Sequence, residues 1–240
     1  MVDFHTHILP SMDDGSQSIE QSAEMLRQMQ KQGIKVVVAT PHFDMRRESP
    51  SEFLARRQKA MDSIKEVIPE GICVVPGAEV LHCGLPLHSI ENLEQLCVGN
   101  SQYLLIESIV PDWTEEIYLD LQHLMMQQNI TPVLAHIERY YYIGKNRKMI
   151  RRLSGEGAVL QMNADAFLKP QMSRKAFKIL RKEIVRLLGS DCHNMNIRQP
   201  NLKEAVQKIV DIAGQEKIDT MMAYANKILS DSVQERERKG

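Results

Sequence analysis

Two imidazoles separated by one residue open the chain, His5 and His7 in Val2-Asp3-Phe4-His5-Thr6-His7. In an extended strand side chains alternate faces, so these two point the same way and converge on one spot. A lone His-x-His is as compatible with a hydrogen-bonded core as with a metal ion. The rest of the chain separates the two, because ligand-type residues recur wherever an apolar, β-branched run ends. His42 follows Val36-Val37-Val38-Ala39-Thr40-Pro41, Glu79 follows Cys73-Val74-Val75-Pro76-Gly77-Ala78, and Glu107 follows Tyr103-Leu104-Leu105-Ile106. His136 follows Pro132-Val133-Leu134-Ala135, Asp191 and His193 follow Val185-Arg186-Leu187-Leu188-Gly189-Ser190, and Asp14 lies in the turn Asp13-Asp14-Gly15 after the first run.

The set His5, His7, Asp14, His42, Glu79, Glu107, His136, Asp191 and His193 holds five imidazoles and four carboxylates. Gathered into one pocket without cations, the carboxylates would repel one another. Divalent ions remove that repulsion, and the number of ligands exceeds what one ion needs, which favours two or three. Nitrogen and oxygen donors without thiolate suit Mn, Fe or Zn. Two adjacent ions can activate a shared water as hydroxide and aim it at phosphorus, so the expected chemistry is metal-assisted phosphoester hydrolysis. Arg139 and Arg198 also leave strand ends, where a guanidinium can hold phosphate oxygens or simply pair with a wall carboxylate. His82, His88 and His123 lie outside the strand-end series and read as exposed or locally hydrogen-bonded. Arg46-Arg47 could form a lip for an anionic peptide. Trp113 and Tyr140-Tyr141-Tyr142 read mainly as wedges between loops and scaffold, and Met25, Met29, Met125 and Met126 as core filler.

These residues need elements that deliver them to one rim. Seven strands alternating with helices are expected: Val2–His7, Ile34–Thr40, Ile72–Val75, Tyr103–Glu107, Ile130–Ala135, Gly157–Met162 and Val185–Ser190. Helices are expected over about Ile19–Gln32, Ser51–Val67, Thr114–Gln128, Asn146–Leu153, Ser173–Lys182, Leu202–Ile212 and Glu216–Lys227, with Leu81–Asn100 irregular apart from a short helical piece near Ile90–Leu96. A doubly wound sheet gathers its site at one switch point, whereas a barrel draws on the C-terminal ends of nearly all its strands. Six strands contribute here, so the expected fold is α/β, a distorted (β/α)7 TIM-like barrel.

The chain has 240 residues, with 30 Lys and Arg against 31 Asp and Glu. A formal charge of −1 gives no global case for nucleic acid or an anionic membrane. The four cysteines, Cys73, Cys83, Cys97 and Cys192, form no CxxC and no disulfide framework, which suits free thiols in a reducing cytoplasm. Cys192 and Arg198 have the Cys-x5-Arg spacing, but alternation turns Cys192 away from Asp191 and His193, so it reads as packing and not as a thiolate nucleophile. No apolar run is long enough to span a bilayer and no signal peptide precedes the first strand, so a cytoplasmic protein without membrane insertion is expected. Residues 1–240 read as one domain, with a charged end expected to fray from about Ser230.

The segments Asp3-Phe4-His5-Thr6-His7-Ile8-Leu9-Pro10, Met12-Asp13-Asp14-Gly15-Ser16, Gly77-Ala78-Glu79-Val80, Leu105-Ile106-Glu107, Thr131-Pro132-Val133-Leu134-Ala135-His136-Ile137-Glu138-Arg139-Tyr140 and Ser190-Asp191-Cys192-His193-Asn194 resemble the bacterial tyrosine-protein phosphatases of the polymerase and histidinol phosphatase (PHP) superfamily, CpsB/YwqE type. The resemblance implies a PHP-fold barrel holding three ions, often manganese. It also implies that phosphotyrosine is removed from a cognate autophosphorylating tyrosine kinase that controls capsule or exopolysaccharide export. It further implies that His5, His7, Glu79 and Asp191 hold one ion, that Glu107 and His136 join Glu79 at a second, that Asp14, His42 and His193 hold a third, and that Arg139 and Arg198 are active-site arginines. The loop after His42 and the end of the sixth strand depart from the streptococcal pattern, which leaves substrate preference and partner identity open. Alternative readings are a small-molecule phosphoesterase of the histidinol-phosphate phosphatase type, an amidohydrolase, and a non-catalytic metal-loaded module that docks on a kinase.

Overall fold

The computed structural model describes the backbone of residues 1–239 and the side chains of residues 1–230, so the expected fraying of the charged end falls on side chains outside the described ones. Every strand pairing is parallel, as expected when helical crossovers join consecutive strands. β1 (Val2–Thr6), β2 (Val36–Ala39) and β4 (Cys73–Pro76) form one sheet in the order β1-β2-β4. β3 (His42–Phe43), β5 (Glu79–His82), β6 (Tyr103–Ser108), β7 (Thr131–Leu134), β8 (Val159–Asn163) and β9 (Val185–Gly189) form the other, in that order.

The two sheets are one ring. β3 continues β2 across Thr40-Pro41, and β5 continues β4 across Gly77-Ala78; between them Gly77 N donates to Ala39 O at 2.8 Å and Glu79 N to Pro41 O at 3.0 Å, so pairing runs through both breaks. The ring closes where β9 meets β1, through Asp191 N to His5 O at 2.8 Å and His7 N to Cys192 O at 2.9 Å. Seven staves therefore form a distorted parallel barrel, as the sequence predicts. β5 corrects the expectation that the chain is irregular from Leu81: its Leu81 and His82 are strand residues paired with Glu107 and Ser108.

Period-two alternation sorts the strand residues into two cores. One holds Val2, Phe4, Val38, Val75, Leu105, Val133, Val159 and Leu187 from the staves together with Ala225, Ile228 and Leu229 from a helix. This is the barrel lumen, closed from one side by α8 (Gln215–Lys239). The other core packs the outward residues, such as Val37, Val74, Leu104, Leu134 and Leu188, under the helix layer. That layer comprises α1 (Ile19–Lys31), α2 (Pro50–Ser63), α3 (Glu115–Gln127), α4 (Asn146–Glu156), α5 (Ala164–Leu168), α6 (Pro170–Lys182) and α7 (Leu202–Ala213). Stepping by twos from the lumen residues leads directly to His42, Glu79, Glu107, Asn163 and Asp191. The inward row thus changes from apolar to ligand-type within one or two steps of the rim.

Local signals account for most helix starts. Ser18 caps α1 by accepting from Gln21 N, and Gly33 at φ 77° releases the chain into β2. α2 begins one residue before the expected start at Ser51: Ser49 and Glu52 make a reciprocal capping box with Pro50 in the first turn. The short α5 was not anticipated, because its five residues are too few to show a helical period. Met25 and Met29 are buried in the core, whereas Met126 is exposed, correcting its assignment as core filler; α3 turns Ile117, Leu121 and Leu124 inward and leaves Met126 on the wet face. Trp113 is buried against Tyr140, as a loop wedge should be.

Candidate metal centre

The mouth of the barrel collects all nine candidate ligands. His5 and His7 from β1 and the residue following it bring their Nε2 atoms to 3.1 Å from each other. Glu79 Oε2 lies 3.0 Å from His5 Nε2, 3.2 Å from His7 Nε2 and 3.2 Å from His42 Nδ1. Asp191 Oδ1 closes the group at 3.5 Å from His5 Nε2 and 3.4 Å from His7 Nε2. On one flank His136 Nε2 lies 2.9 Å from Glu79 Oε1 and 3.3 Å from Glu107 Oε1. On the other, Asp14 Oδ1 sits 3.4 Å from His193 Nε2 and 3.6 Å from His42 Nε2.

Three sets of donor atoms fall within 4.8 Å of one another: His5, His7, Glu79 and Asp191; His7, Asp14, His42 and His193; and His42, Glu79 and Glu107. The first is the grouping that the resemblance implies, and the second adds His7 to the implied trio. The last has His42 where His136 was expected, although His136 touches both carboxylates of that set. Glu79 belongs to two sets, as a bridging carboxylate between neighbouring ions would. The donors fit divalent cations on the structure's own terms. They are nitrogen and oxygen atoms only, and His193 Nε2 is a buried ring nitrogen with no hydrogen-bond partner, aimed at Asp14.

The backbone is bent to produce this convergence. His136 (φ 32°) and Asp191 (φ 54°) occupy the left-handed region, which costs a non-glycine residue of order 1–3 kcal/mol. Each is pinned by its main-chain N–H, His136 to Gln161 Oε1 at 2.6 Å and Asp191 to His5 O at 2.8 Å. Glycines make the room. A Cβ on Gly189 would stand 2.4 Å from His5 Cβ, and one on Gly15 would stand 2.3 Å from His7 O.

Electrostatics at the rim follow from burial competing with close opposite charge. Burial alone would raise the Glu79 carboxyl, but His5, His136 and His7 outweigh it and hold it well below the usual carboxylate range. Asp191 is held down in the same way, by His5 and His7 against burial. His193 is driven the other way, to about 3, by burial and by the neighbouring His7 charge. Glu79 and Asp191 therefore remain ionised although they share a buried pocket.

Supporting residues complete the site, and several were not singled out from sequence. Asp13 Oδ2 accepts from His7 Nδ1 at 2.7 Å and from His42 N at 2.8 Å, and its Oδ1 accepts from Gly15 N at 2.8 Å. With its Nδ1–H held by Asp13, His7 would present the Nε2 lone pair to a cation that displaces the proton there. The sequence signal for it is the doubled acid in Asp13-Asp14-Gly15, whose first member turns to His7 and whose second faces His42 and His193. Asn163 Nδ2 donates to Asp191 Oδ2 at 2.7 Å, and Gln161 Nε2 donates to Asn163 Oδ1 at 2.9 Å. These alternate on β8, the one stave without a candidate ligand. Tyr140 donates to Glu107 Oε1 at 3.0 Å, a positioning contact rather than a loop wedge alone.

Both arginines reach the same carboxylate. Arg139 Nη2 is 2.7 Å from Asp191 Oδ2, with its Nη1 3.2 Å from Glu107 Oε1, and Arg198 Nη2 is 2.7 Å from Asp191 Oδ1. On the Asp14 and His42 side of the mouth a cavity of about 410 Å³ is lined by those two with Arg46, Arg47 and Arg56 among others. Arg46 is forked onto the buried Asp44, at 2.8 Å from Nε and 2.7 Å from Nη2, so it is presented at that lip in one orientation. Cys192, between Asp191 and His193, is fully buried in the outer core, where burial pushes its thiol well above the usual range; it is packing, as alternation predicts.

Residues 1–230 match the family described as capsular polysaccharide synthesis, CpsB/CapC. The tyrosine-protein phosphatase CpsB of Streptococcus pneumoniae is 31% identical over 229 residues, covering 90% of this chain and 93% of that one. The tyrosine-protein phosphatase YwqE of Bacillus subtilis is 31% identical over 215 residues, covering 86% and 82% respectively. A solved structure from the pair YwqE of Bacillus subtilis and CpsB of Streptococcus pneumoniae, metal-dependent tyrosine phosphatases, superposes with a TM-score of 0.83 at 25% identity over 97% of this chain and 95% of that one.

Proposed function

The chain belongs to the CpsB/CapC family of capsular polysaccharide synthesis, and on that premise we propose that it hydrolyses phosphotyrosine in proteins with the help of two or three divalent ions, manganese foremost. The observation that carries the reading is the convergence of nine nitrogen- and oxygen-bearing side chains on one rim, with Arg139 and Arg198 both on Asp191. His5, His7, Glu79 and Asp191 would hold one ion, Glu79, Glu107 and His136 with His42 a second, and Asp14, His42 and His193 a third. Bound there, the ions would lower the pKa of a water in the mouth and supply the nucleophile.

The chain's own residues do the rest. Asp13 fixes the His7 ring, Tyr140 orients Glu107, and Asn163 orients Asp191. Arg139 and Arg198 lie beside the donors, where each can turn from Asp191 toward non-bridging phosphate oxygens and stabilise charge that accumulates as the ester bond breaks. A thiolate route has little support. Cys97 and Cys192 are buried, the former pushed up to about 12 by burial, and Cys73 and Cys83 are not among the residues that converge at the mouth. The physiological target is proposed to be an autophosphorylating tyrosine kinase of capsule or exopolysaccharide synthesis, following the family's role. No helix among the described residues is long and apolar enough to cross a membrane, which is compatible with action in the cytoplasm.

The test is hydrolysis of p-nitrophenyl phosphate and of a phosphotyrosyl peptide. Turnover should persist when all four cysteines are replaced and vanish in His5→Ala or after chelation, returning when Mn²⁺ is restored. Activity that depends on a cysteine and ignores chelation overturns the proposal, and strong preference for histidinol phosphate over the peptide reassigns the substrate.

A further inference from the structure

The charge of the chain is unevenly spread. Residues 138–186 carry 13 Lys and Arg against 4 Asp and Glu, a surplus of 9 in a chain whose total is −1. The four acids of this stretch are already committed. Glu138, half-buried in the wall of the cavity that reaches Arg139, accepts from Asn163 N on Oε1 at 3.2 Å, and Glu156 accepts from Tyr118. Asp165 is paired with Lys169 and Asn201, and Glu183 with Tyr141 and Arg151. Lys145, Arg147 and Lys148 around the start of α4, and Lys175 on α6, are exposed, with no carboxylate of the described residues within ion-pair distance. Three bases around the first turn of α4 also oppose the helix dipole, so local stability does not account for them.

These bases form a track that runs to the barrel mouth. A cavity of about 300 Å³ is lined by Tyr141, Tyr142, Gly144, Lys145, Arg147 and Lys148. Tyr142 also borders a second cavity of about 360 Å³ that takes in Lys175 and ends on Arg139, and Lys175 Nζ sits 5.6 Å above the Tyr142 ring. The positive face is thus continuous with an arginine of the candidate catalytic site.

We propose that this face docks an acidic or multiply phosphorylated segment of the phosphoprotein, so that anionic side chains flanking the phosphotyrosine lie along α4 and α6 while its phosphate enters the mouth. The inference rests on the phosphatase reading above. Two side-chain-sized depressions and a path that ends at Arg139 favour a protein segment over a lipid surface, which would meet a flatter face lying apart from the reacting centre. Charge complementarity of this kind speeds encounter and is weakened by salt.

The experiment compares two phosphotyrosyl peptides of equal length, one with glutamates around the phosphotyrosine and one with glutamines, on the manganese-loaded full chain and on the variant Lys145→Glu/Lys148→Glu/Lys175→Glu. The wild type should favour the acidic peptide by about tenfold in kcat/KM at low salt, mostly through KM, and lose that preference as salt rises. The variant should lose or invert the preference while hydrolysing p-nitrophenyl phosphate at the wild-type rate, which also reports that it is folded. Equal use of both peptides by the wild type, or an unchanged preference in the variant, overturns the proposal. So does wild-type binding to phosphatidylserine vesicles that the variant loses, with no peptide preference, since the face would then serve a membrane. Absence of p-nitrophenyl phosphate turnover in the wild type would instead sink the phosphatase reading itself.

Discussion

Two clusters of histidine and carboxylate among the described residues use the same chemistry for opposite ends. At the barrel mouth Glu79 and Asp191 face several imidazoles whose Nε2 atoms point at one another, and the main chain supplies these carboxylates with almost nothing. Beneath the loop after β5, Asp120 of α3 is saturated. Its Oδ2 accepts from Leu87 N at 2.7 Å and His82 Nε2 at 2.9 Å, and its Oδ1 accepts from His88 N at 3.1 Å and from His88 Nδ1. His123 only stacks on His88, with ring centroids 4.3 Å apart. A carboxylate whose lone pairs are filled by amides fastens a loop; one whose neighbours are other donors can take a cation. Glu79 and His82 belong to the same short strand, three residues apart, and alternation sends the first into the mouth and the second toward α3.

The sharpest way to break this contrast is to neutralise one carboxylate in each cluster. Glu79→Gln keeps the shape of the side chain and should lower turnover by about a thousandfold or more, with metal content falling alongside it. Metal content by elemental analysis and kcat on a phosphotyrosyl peptide check both halves. If turnover survives, the rim is not the reacting centre.

Asp13→Asn probes the support of the rim rather than the rim itself. Removing the acceptor that orients His7 should cost about 10–100-fold in metal affinity or activity, and it should also lower the unfolding midpoint of the metal-free protein, because an amide cannot accept from His7, His42 N and Gly15 N together. A metal titration followed by activity separates the two effects.

In the other cluster, Asp120→Ala should leave turnover and metal content near wild type and lower stability by about 2–3 kcal/mol, read by urea denaturation. The hydrogen bonds from His82, Leu87 and His88 outweigh burial and hold the Asp120 carboxyl below its ordinary value of 3.8. A carboxyl depressed by folding stabilises the protein above its unfolded pKa and ceases to do so as pH falls through the folded one. The stability gap between wild type and Asp120→Asn should therefore be widest above pH 3.8 and narrow as the pH drops below it. A gap that widens with acid would contradict the assignment. His123→Ala should be the mildest change, within about 0.5 kcal/mol, because an exposed stacked ring leaves no buried group unpaired.

Much of the site was legible because barrel strands all run the same way. A ligand-type residue after each apolar run had to emerge at the same end, so His42, Glu79, Glu107, His136 and Asp191 could be chosen by position alone. The supporting residues could not. Asn163 and Gln161 are ordinary polar residues at the end of β8, and only their contacts with Asp191 and the His136 main chain give them a role. The distribution of His42 among the ion sets was equally hidden, since it depends on which ring nitrogen faces Glu79 and which faces Asp14. The extra strand β5 and the short α5 were missed because segments of four and five residues carry too few repeats for a period to show.

Sequence alone determined the alternation of strands and helices and the emergence of the donors at one end of the strands, because periodicity and residue chemistry are local properties. Tertiary structure decided which donors share a point in space, that the ring closes between β9 and β1, and that α8 seals the lumen. It also decided that an aspartate beside three histidines ties down a loop instead of holding an ion. Those outcomes depend on distances between residues far apart in the chain, down to tenths of an ångström, and such distances exist only once the ring has closed and the helices have packed around it.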